Sequence, residues 1–207
     1  KGAFVTVYGI DGTGKTETVK DLVSALMSRG LKTLNYDMYK SSDINNPFEP
    51  IKKWIEKNAT VSAQLDFYVN SMAYHSGVIE RLVTEGCVVV RSRYIEDVIA
   101  HYTYLGVPYI LESVHSAHLL QPDLRVVLTL PEEIRRERIM RRGEIDVKDK
   151  EMKIPGSRLD FFERFLMYTA RGMLNRGKAV IIDTSVFTVE EVTKRIMECL
   201  QKRNLIV

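Results

Sequence analysis

The sequence has few cysteines, no long apolar run and little excess charge, and each shortage excludes a class of protein. Only two cysteines, Cys87 and Cys199, occur in 207 residues, too few for a disulfide framework or a four-cysteine zinc site. No apolar stretch approaches the roughly 18 residues that a membrane-spanning helix needs. The 30 Lys and Arg nearly balance the 27 Asp and Glu, so the composition indicates neither a nucleic-acid partner nor an anionic membrane.

The composition that is present is typical of a folded globular chain. Apolar residues make up 45% of the sequence and charged residues 28%, which excludes a disordered protein. The length favours one domain over residues 1–207, since domains average roughly 150 residues. No internal repeat, linker, low-complexity tract or signal peptide is recognised, and we expect a soluble cytoplasmic protein.

Short apolar runs alternate with amphipathic segments along the chain. This order predicts an α/β fold with a five-stranded parallel sheet flanked by helices. The predicted strands cover residues 3–8, 33–36, 87–90, 124–130 and 179–182. The predicted helices cover residues 15–29, 51–57, 61–85, 95–105, 108–120, 131–142 and 157–174, with a last one from about 189. The Ser, Asn, Asp and Pro residues of segment 37–50 predict a loop. Segment 144–156 is polar, and we expect it to form a lid over a site.

A glycine-rich segment between the first strand and the first helix predicts a phosphate-binding loop. Residues 9–16 read Gly-Ile-Asp-Gly-Thr-Gly-Lys-Thr and fit the pattern G-x-x-x-x-G-K-[ST]. Its glycines allow backbone N–H groups to turn towards phosphate oxygens, Lys15 can reach the β- and γ-phosphates, and the Thr16 hydroxyl can bind Mg²⁺. A chance glycine turn is the alternative, and such a match arises by accident in roughly one chain in a hundred.

Several further segments, in chain order, resemble those of thymidylate kinases, a family of P-loop nucleoside monophosphate kinases. Beside the loop at residues 9–16, the similar segments are Arg-Ser-Arg-Tyr-Ile at 91–95, Pro-Asp-Leu at 122–124, Arg-Arg-Gly-Glu-Ile-Asp at 141–146, Phe-Phe-Glu-Arg-Phe at 161–165 and Ile-Asp-Thr-Ser at 182–185. The resemblance implies a three-layer P-loop kinase fold with a small lid at about residues 142–156. It also implies transfer of the ATP γ-phosphoryl group to dTMP, with ATP and Mg²⁺ required.

On the ATP side, the resemblance implies roles for loop residues and for arginines near the lid. The implied ATP-binding residues are Gly9, Asp11, Gly12, Thr13, Gly14, Lys15, Thr16, Thr18 and Asp183. The implied catalytic residues are Lys15, Arg93, Arg138, Arg141 and Arg142. The family carries an arginine in the loop or in the lid. Since Gly12 leaves the loop without one, we expect the lid to supply it, although cations at a helix end can also simply offset its dipole.

On the acceptor side, the resemblance places Asp11 near the sugar 3′-hydroxyl, Arg93 on the acceptor phosphate and Phe67 against thymine. Each has a plainer interpretation. Asp11 could hold the loop, Phe67 could be core, and Arg93 could pair with Glu96 or Asp97. Asp183, on the ATP side, could cap a turn. The full set of acceptor-binding candidates is Asp11, Phe67, Asn70, Ser71, Arg93, His101 and Tyr102.

The sequence departs from the family pattern mainly around the acceptor. Ser92 stands where the family has an aspartate near Mg²⁺, so we expect Asp97 or Glu96, one turn later, to substitute, with Thr16 as the other metal ligand. Asn70 and Ser71 occupy the place of an Asp-Arg pair whose arginine addresses the thymine edge. His101 replaces a tyrosine that favours deoxyribose. The family's Arg-Glu-Pro after the second strand is also missing, and Tyr-Asp-Met-Tyr stands at 36–39 instead.

These departures leave several functions open. Besides a dTMP kinase, the sequence is compatible with a monophosphate kinase of shifted or relaxed acceptor choice, with a nucleoside kinase acting on a 5′-hydroxyl, or with a catalytically weak ATP-binding regulatory module. The resemblance further implies a homodimer, formed through helices between residues 61 and 120, and gives no reason to expect nucleic-acid or membrane partners.

Overall fold

The computed structural model describes residues 2–40, 46–141, 153–174 and 176–206. The strands are β1 (Ala3–Tyr8), β2 (Thr33–Asn35), β3 (Val88–Ser92), β4 (Leu124–Thr129) and β5 (Ala179–Asp183). The helices are α1 (Lys15–Ser28), α2 (Tyr36–Tyr39), α3 (Glu49–Asn58), α4 (Val61–Thr84), α5 (Ile95–Tyr104), α6 (Ile110–Ser116), α7 (Glu132–Arg141), α8 (Arg158–Leu174) and α9 (Val189–Lys202). Arg142 and most of the predicted lid lie outside the described residues.

The five strands form one parallel sheet in the order β2-β3-β1-β4-β5, as the alternating pattern predicts. In the centre, Val5 of β1 is aligned with Val90 of β3 and with Leu124 of β4. From β1 the chain therefore passes first to β2 and β3 on one side of this strand, and then crosses to β4 and β5 on the other side. In parallel sheets of this kind, ligands bind at the carboxyl ends of the strands where the order reverses. Here the segments that follow β1, β3 and β4 meet at that edge.

Alternating residues of β1 divide the core between the two faces of the sheet. Val5 and Val7 pack with the apolar sides of α1 and α9, including Leu22 and Ile196. Phe4 and Tyr8 face the opposite side, where α4, α5 and α8 supply a second apolar cluster. Every residue of β1 is buried, which explains its continuous apolar run. The result is the expected three-layer arrangement of helices, sheet and helices.

The structure differs from the sequence prediction at several elements; α3 begins at Glu49, inside the predicted loop, and α6 covers Ile110–Ser116 and not residues 108–120. Residues 36–39 form the short helix α2, where the sequence predicts the end of a strand and the start of a loop. The Asn35 side chain caps this helix by accepting hydrogen bonds from the backbone N–H groups of Asp37 (3.1 Å) and Met38 (3.3 Å). Strand β3 continues through Arg91 to Ser92, beyond the predicted end at residue 90. Within the described ranges, no helix is both long enough and apolar enough to cross a membrane.

A buried carboxylate ties the start of α5 to the middle of the sheet. The Glu96 carboxylate accepts a hydrogen bond from Arg125 Nε of β4 at 2.7 Å, and a second one from the Tyr8 hydroxyl of β1. Both charged side chains are at most 7% exposed. Arg125 also donates to the Gln121 side chain (2.6 Å) and to the Pro122 carbonyl (3.1 Å). Glu96 is thus committed inside the protein, and the expectation that it could serve as a metal ligand is wrong.

Replacing one member of this pair should destabilise the protein strongly. We expect Arg125→Met to lower the free energy of unfolding by about 3–5 kcal/mol, because Glu96 is left buried without its cation. Urea unfolding measures this loss. The double variant Glu96→Leu/Arg125→Met removes both charges and should recover most of the stability. A single variant that unfolds at the same urea concentration as the wild type would contradict this account.

Candidate active site

The phosphate loop leaves β1 at Gly9 and enters α1 at Lys15 through two glycines with left-handed backbone. Gly12 has φ +92° and Gly14 has φ +86°, a region that residues with a Cβ atom rarely adopt. Gly14 directly precedes the first residue of α1, so the free N–H groups of the helix face the loop. The local conformation is therefore that of an anion-binding turn, as the motif predicts.

One backbone carbonyl organises the interior of the loop. Ile10 O accepts hydrogen bonds from Thr13 Oγ1 at 2.8 Å and from Lys15 Nζ at 2.9 Å. Lys15 is buried, and burial together with the nearby Arg93 lowers the pKa of its ammonium group to about 8. Thr16 is exposed in the first turn of α1. The Thr18 amide donates to Gly14 O at 2.9 Å and continues the helix.

Arg93 joins the end of β3 to the phosphate loop. Its backbone is left-handed (φ 57°), and its guanidinium contacts the Asp11 carboxylate while Nε lies 3.5 Å from Asp97 Oδ1. Lys15 Nζ approaches the same Asp11 carboxylate at 3.5 Å. Burial alone would raise the pKa of Asp11, but the charges of Arg93 and Lys15 lower it overall. Two cations and one carboxylate therefore meet at the mouth of the loop, an arrangement suited to phosphate oxygens.

Asp97 contributes a second carboxylate to this cluster. Its Oδ2 is buried and has no hydrogen-bond partner among the described residues. Burial raises the pKa of Asp97 to about 6, despite the opposing effect of Arg93. Ser92, which stands in place of the family's aspartate, instead donates its backbone N–H to Asp37 Oδ2 at 2.6 Å. Asp97 is thus the carboxylate whose free oxygen remains near the loop.

Arg135 of α7 holds the loop from outside, a role that the sequence reasoning missed. It is fully buried, pairs with Glu132 at 2.6 Å and places Nη1 3.4 Å from the Asp11 carbonyl. A Cβ atom on Gly12 would lie only 2.8 Å from Arg135 Cγ. The available signal was the spacing of Glu132 and Arg135, which allows a salt bridge on one helix face. In a helix rich in charge, this spacing does not reveal burial.

The predicted arginines near the lid lie in different surroundings. Arg138 donates to the Thr184 carbonyl at 2.6 Å and to its hydroxyl at 3.2 Å, so it packs against the loop after β5. Arg141 is 76% exposed and pairs with Glu137 along the helix. Arg142 lies outside the described residues. The Asp183 carboxylate accepts from the Ser185 N–H (2.8 Å) and hydroxyl (2.6 Å), which is the turn-capping geometry.

An open cavity of about 370 Å³ lies between the sheet, α2 and α4. It is lined by Asp37, Lys40, Asn46, Phe48, Glu49, Lys52, Phe67, Tyr68, Ser71, Met72, His75 and Arg91. Phe67 and Ser71, both predicted from the resemblance, therefore face one space. Larger depressions run along α6 and α8, but neither Phe67 nor Ser71 lines them.

The other acceptor candidates do not line this cavity. Asn70 is exposed, and its side chain donates to the Asp66 carbonyl of its own helix at 2.8 Å. The His101 ring packs on Tyr102, with ring centroids 4.9 Å apart, and lies 6.3 Å from Phe162. Tyr102 is buried 6.3 Å from the ring of Tyr68, and its hydroxyl has no hydrogen-bond partner among the described residues.

Comparison with known proteins identifies the family. The family model for thymidylate kinase matches residues 7–196, almost the whole chain. The chain belongs to the thymidylate kinase family. It is thus an ATP-dependent nucleoside monophosphate kinase, and the resemblance seen in the sequence is confirmed.

Individual thymidylate kinases match over most of their length. A probable thymidylate kinase of Pyrobaculum aerophilum is 30% identical, covering 68% of this chain and 71% of that protein. One of Caldivirga maquilingensis is 31% identical, covering 69% and 70%. The thymidylate kinase of Maridesulfovibrio salexigens is 26% identical over 93% and 92%. The solved thymidylate kinase of Candida albicans has a TM-score of 0.72 at 18% identity, covering 99% of this chain and 93% of that one, which supports the fold.

The contact between Gly12 and Arg135 predicts that two similar glycines respond differently to alanine. Gly14→Ala meets no atom within 4 Å, so we expect only the backbone cost of about 1–2 kcal/mol in unfolding free energy. Gly12→Ala adds a collision with Arg135 and should cost about 1–3 kcal/mol more. Urea unfolding of both variants measures the difference, and equal losses would show that Arg135 does not pack against the loop as described.

Proposed function

We propose that this family member transfers the γ-phosphoryl group of ATP to dTMP, giving dTDP and ADP, within a single domain over residues 1–207 whose lid spans about 142–156. The observation that carries the proposal is the contact of Arg93 with Asp11. It places the cation that follows β3 at the loop that binds the donor phosphates. Arg91, two residues earlier, lines the cavity that contains Phe67. One strand thereby connects the donor site with the acceptor site.

The chain's residues act mainly by positioning and by neutralising charge, as phosphoryl transfer requires. The loop N–H groups and Lys15 bind the donor phosphates. Arg93 leaves its carboxylate partners and binds oxygens of the acceptor phosphate. The Asp11 carboxylate then accepts a hydrogen bond from the 3′-hydroxyl of the acceptor sugar. The bond between the γ-phosphorus and its bridging oxygen breaks as the acceptor phosphate oxygen bonds to that phosphorus. Arg138, Arg141 and Arg142, with the lid, exclude water from ATP.

The donor set at the loop fits Mg²⁺. This ion binds to one or two protein oxygens and keeps its other positions for phosphates and water. The hydroxyl of the exposed Thr16 and the unpartnered Asp97 Oδ2 are such oxygens. The described residues contain no group of three or more His, Cys, Asp or Glu that would form a complete protein cage. Thr16 and Asp97 would hold the ion. When bound, Mg²⁺ neutralises the charge on the β- and γ-phosphates.

We further propose a cytoplasmic homodimer. Large apolar side chains are exposed on or between α4, α5 and α6, within the residue range that the family resemblance implies for subunit contact. They are Val61, Tyr74, Tyr104, Leu105, Tyr109 and Leu111. Leu111, at 65%, is the most exposed of these side chains, and a second subunit packed on this surface would cover it.

The acceptor is tested by measuring ADP release from ATP and Mg²⁺ with dTMP, dUMP, dCMP, dGMP, dAMP or thymidine. We expect dTMP to give the highest kcat/KM. Lys15→Met should reduce kcat at least about 100-fold, because it removes a preformed charge at the phosphates. Preference for thymidine would indicate a nucleoside kinase and contradict the proposal. ATP binding with no ADP release for any acceptor would indicate a regulatory module instead.

The role of Asp97 is tested by the dependence of activity on Mg²⁺. Asp97→Asn should raise the Mg²⁺ concentration for half-maximal activity about tenfold or more, because an amide is a weaker ligand than a carboxylate. Asp21→Asn, on the outer part of α1, is the matched control and should leave the Mg²⁺ curve in place. An unchanged curve for Asp97→Asn would exclude this residue as the ligand.

A further inference from the structure

Arg91 is a buried cation that the mechanism described above does not use. It lies near the end of β3, is 2% exposed, and its guanidinium carbon lies 5.6 Å from the ring centroid of Tyr36 and 5.2 Å from that of Tyr94. A buried arginine is normally paired with a carboxylate, since transferring the charge from water is costly. The two rings offset only part of this cost.

The hydrogen-bonding groups of Arg91 are largely unused. Nε and Nη1 are buried and have no hydrogen-bond partner among the described residues, and Nη2 has only the weak acceptor Met72 Sδ at 3.4 Å. Among the charged neighbours of Arg91, Asp37 does most to raise its pKa and so to offset the effect of burial. The Asp37 oxygens, however, are engaged by the Ser92 amide at 2.6 Å and by Lys40 at 3.4 Å. The guanidinium therefore retains donors for another molecule.

The cavity beside Arg91 is lined in part by aromatic side chains, on which a flat ring can stack. Phe48 and Phe67 lie edge to face, with ring centroids 5.6 Å apart, and form an apolar wall. Ser71 is buried at the same cavity, and its short side chain fills little of that space. His75 also lines it. Burial and the nearby cations Arg91 and Lys40 lower the pKa of His75 to about 3. Its Nδ1 forms a hydrogen bond with the Tyr36 hydroxyl at 2.9 Å.

We propose that Arg91 determines base specificity by donating hydrogen bonds from its free N–H groups to a ring keto oxygen of the acceptor nucleotide. The proposal rests on the proposed function and names the residue that selects its substrate. An arginine only donates hydrogen bonds, so it pairs with the 4-keto oxygen of thymine or uracil. The 4-amino group of cytosine is itself a donor, so it could not accept a hydrogen bond from Arg91. In a buried site such a mismatch is costly, because the groups on both sides stay unpaired.

The position of Arg91 favours a base over a phosphate as its ligand. Lys15 and Arg93 converge on Asp11 at the mouth of the loop, where they can meet phosphate oxygens. The two lysines that line the cavity are each paired with a carboxylate, Lys40 with Asp37 at 3.4 Å and Lys52 with Glu49 at 4.0 Å. Arg91 instead lies inside the strand, enclosed by Tyr36 and Tyr94, and opens onto the space lined by Phe67. A phosphate group would gain nothing from the aromatic wall, whereas a base can stack on it.

The experiment compares dTMP with 5-methyl-dCMP, which share the methyl group and differ at the keto or amino position. Equilibrium binding by calorimetry and kcat/KM are both measured for the wild type, Arg91→Met, Arg91→Lys and the exposed control Arg81→Met. We expect Arg91→Met to weaken dTMP binding about 30- to 100-fold and 5-methyl-dCMP binding by less than about threefold. Arg91→Lys should keep part of the keto preference, and Arg81→Met all of it.

Stability and the pattern of loss separate this role from a structural one. Arg91→Met replaces a poorly paired buried cation with an apolar side chain. We therefore expect the variant to unfold at a urea concentration no lower than that at which the wild type unfolds. A less stable variant with unchanged preference between the two nucleotides would overturn the proposal. Equal losses for both nucleotides would overturn it too, and would indicate contact with the shared phosphate.

The binding measurement keeps this inference separate from the proposed kinase reaction. If dTMP binds through Arg91 but is not phosphorylated, the assignment of Arg91 stands and the proposed reaction fails. If dTMP is phosphorylated and Arg91→Met retains the full preference over 5-methyl-dCMP, the reaction stands and the assignment of Arg91 fails.

Discussion

The Glu96 carboxylate is the interaction on which the active site depends. It joins β1 through Tyr8, β4 through Arg125 and the first turn of α5, all inside the protein. Two hydrogen-bond donors, one of them the cation Arg125, offset the cost of burying its charge. The segment that it fixes carries Arg93 just before α5 and Asp97 just after Glu96. The contact of Arg93 with Asp11 of the phosphate loop, and that of Asp97 with Arg93, therefore depend on this buried pair.

The sequence was sufficient to predict the alternating elements, the parallel sheet and the phosphate loop, because each leaves a local pattern. It could not place Arg93 on Asp11, since the two residues are 82 positions apart and meet only when β1 and β3 pair. Helix α2 escaped prediction because it has only four residues and leads into a segment rich in Ser, Asn and Asp, which indicates a loop. Arg135 escaped because α7 has few apolar residues, so charge concealed the face that packs on Gly12.

Two of the departures from the family pattern fall where another element carries a charged group. Ser92 lacks the carboxylate of the family pattern, and Asp97, one turn into α5, has a free buried oxygen. Ser71 lacks the arginine that the family places on α4, and Arg91 of β3 opens onto the same cavity. The departures read from the sequence are therefore accompanied by charged groups nearby, and this pairing is visible only in three dimensions.

The Ile10 carbonyl, which accepts from both Thr13 and Lys15, has a consequence for nucleotide affinity. A glycine-rich turn that fluctuated freely would lose conformational entropy each time a triphosphate was bound, and the observed affinity would fall by that amount. Here the hydrogen bonds to the Ile10 carbonyl already hold the turn in one conformation, and folding of the domain supplies the free energy for this ordering. Nucleotide association can therefore proceed with little ordering of the chain, and its strength depends mainly on the charges that meet the phosphates.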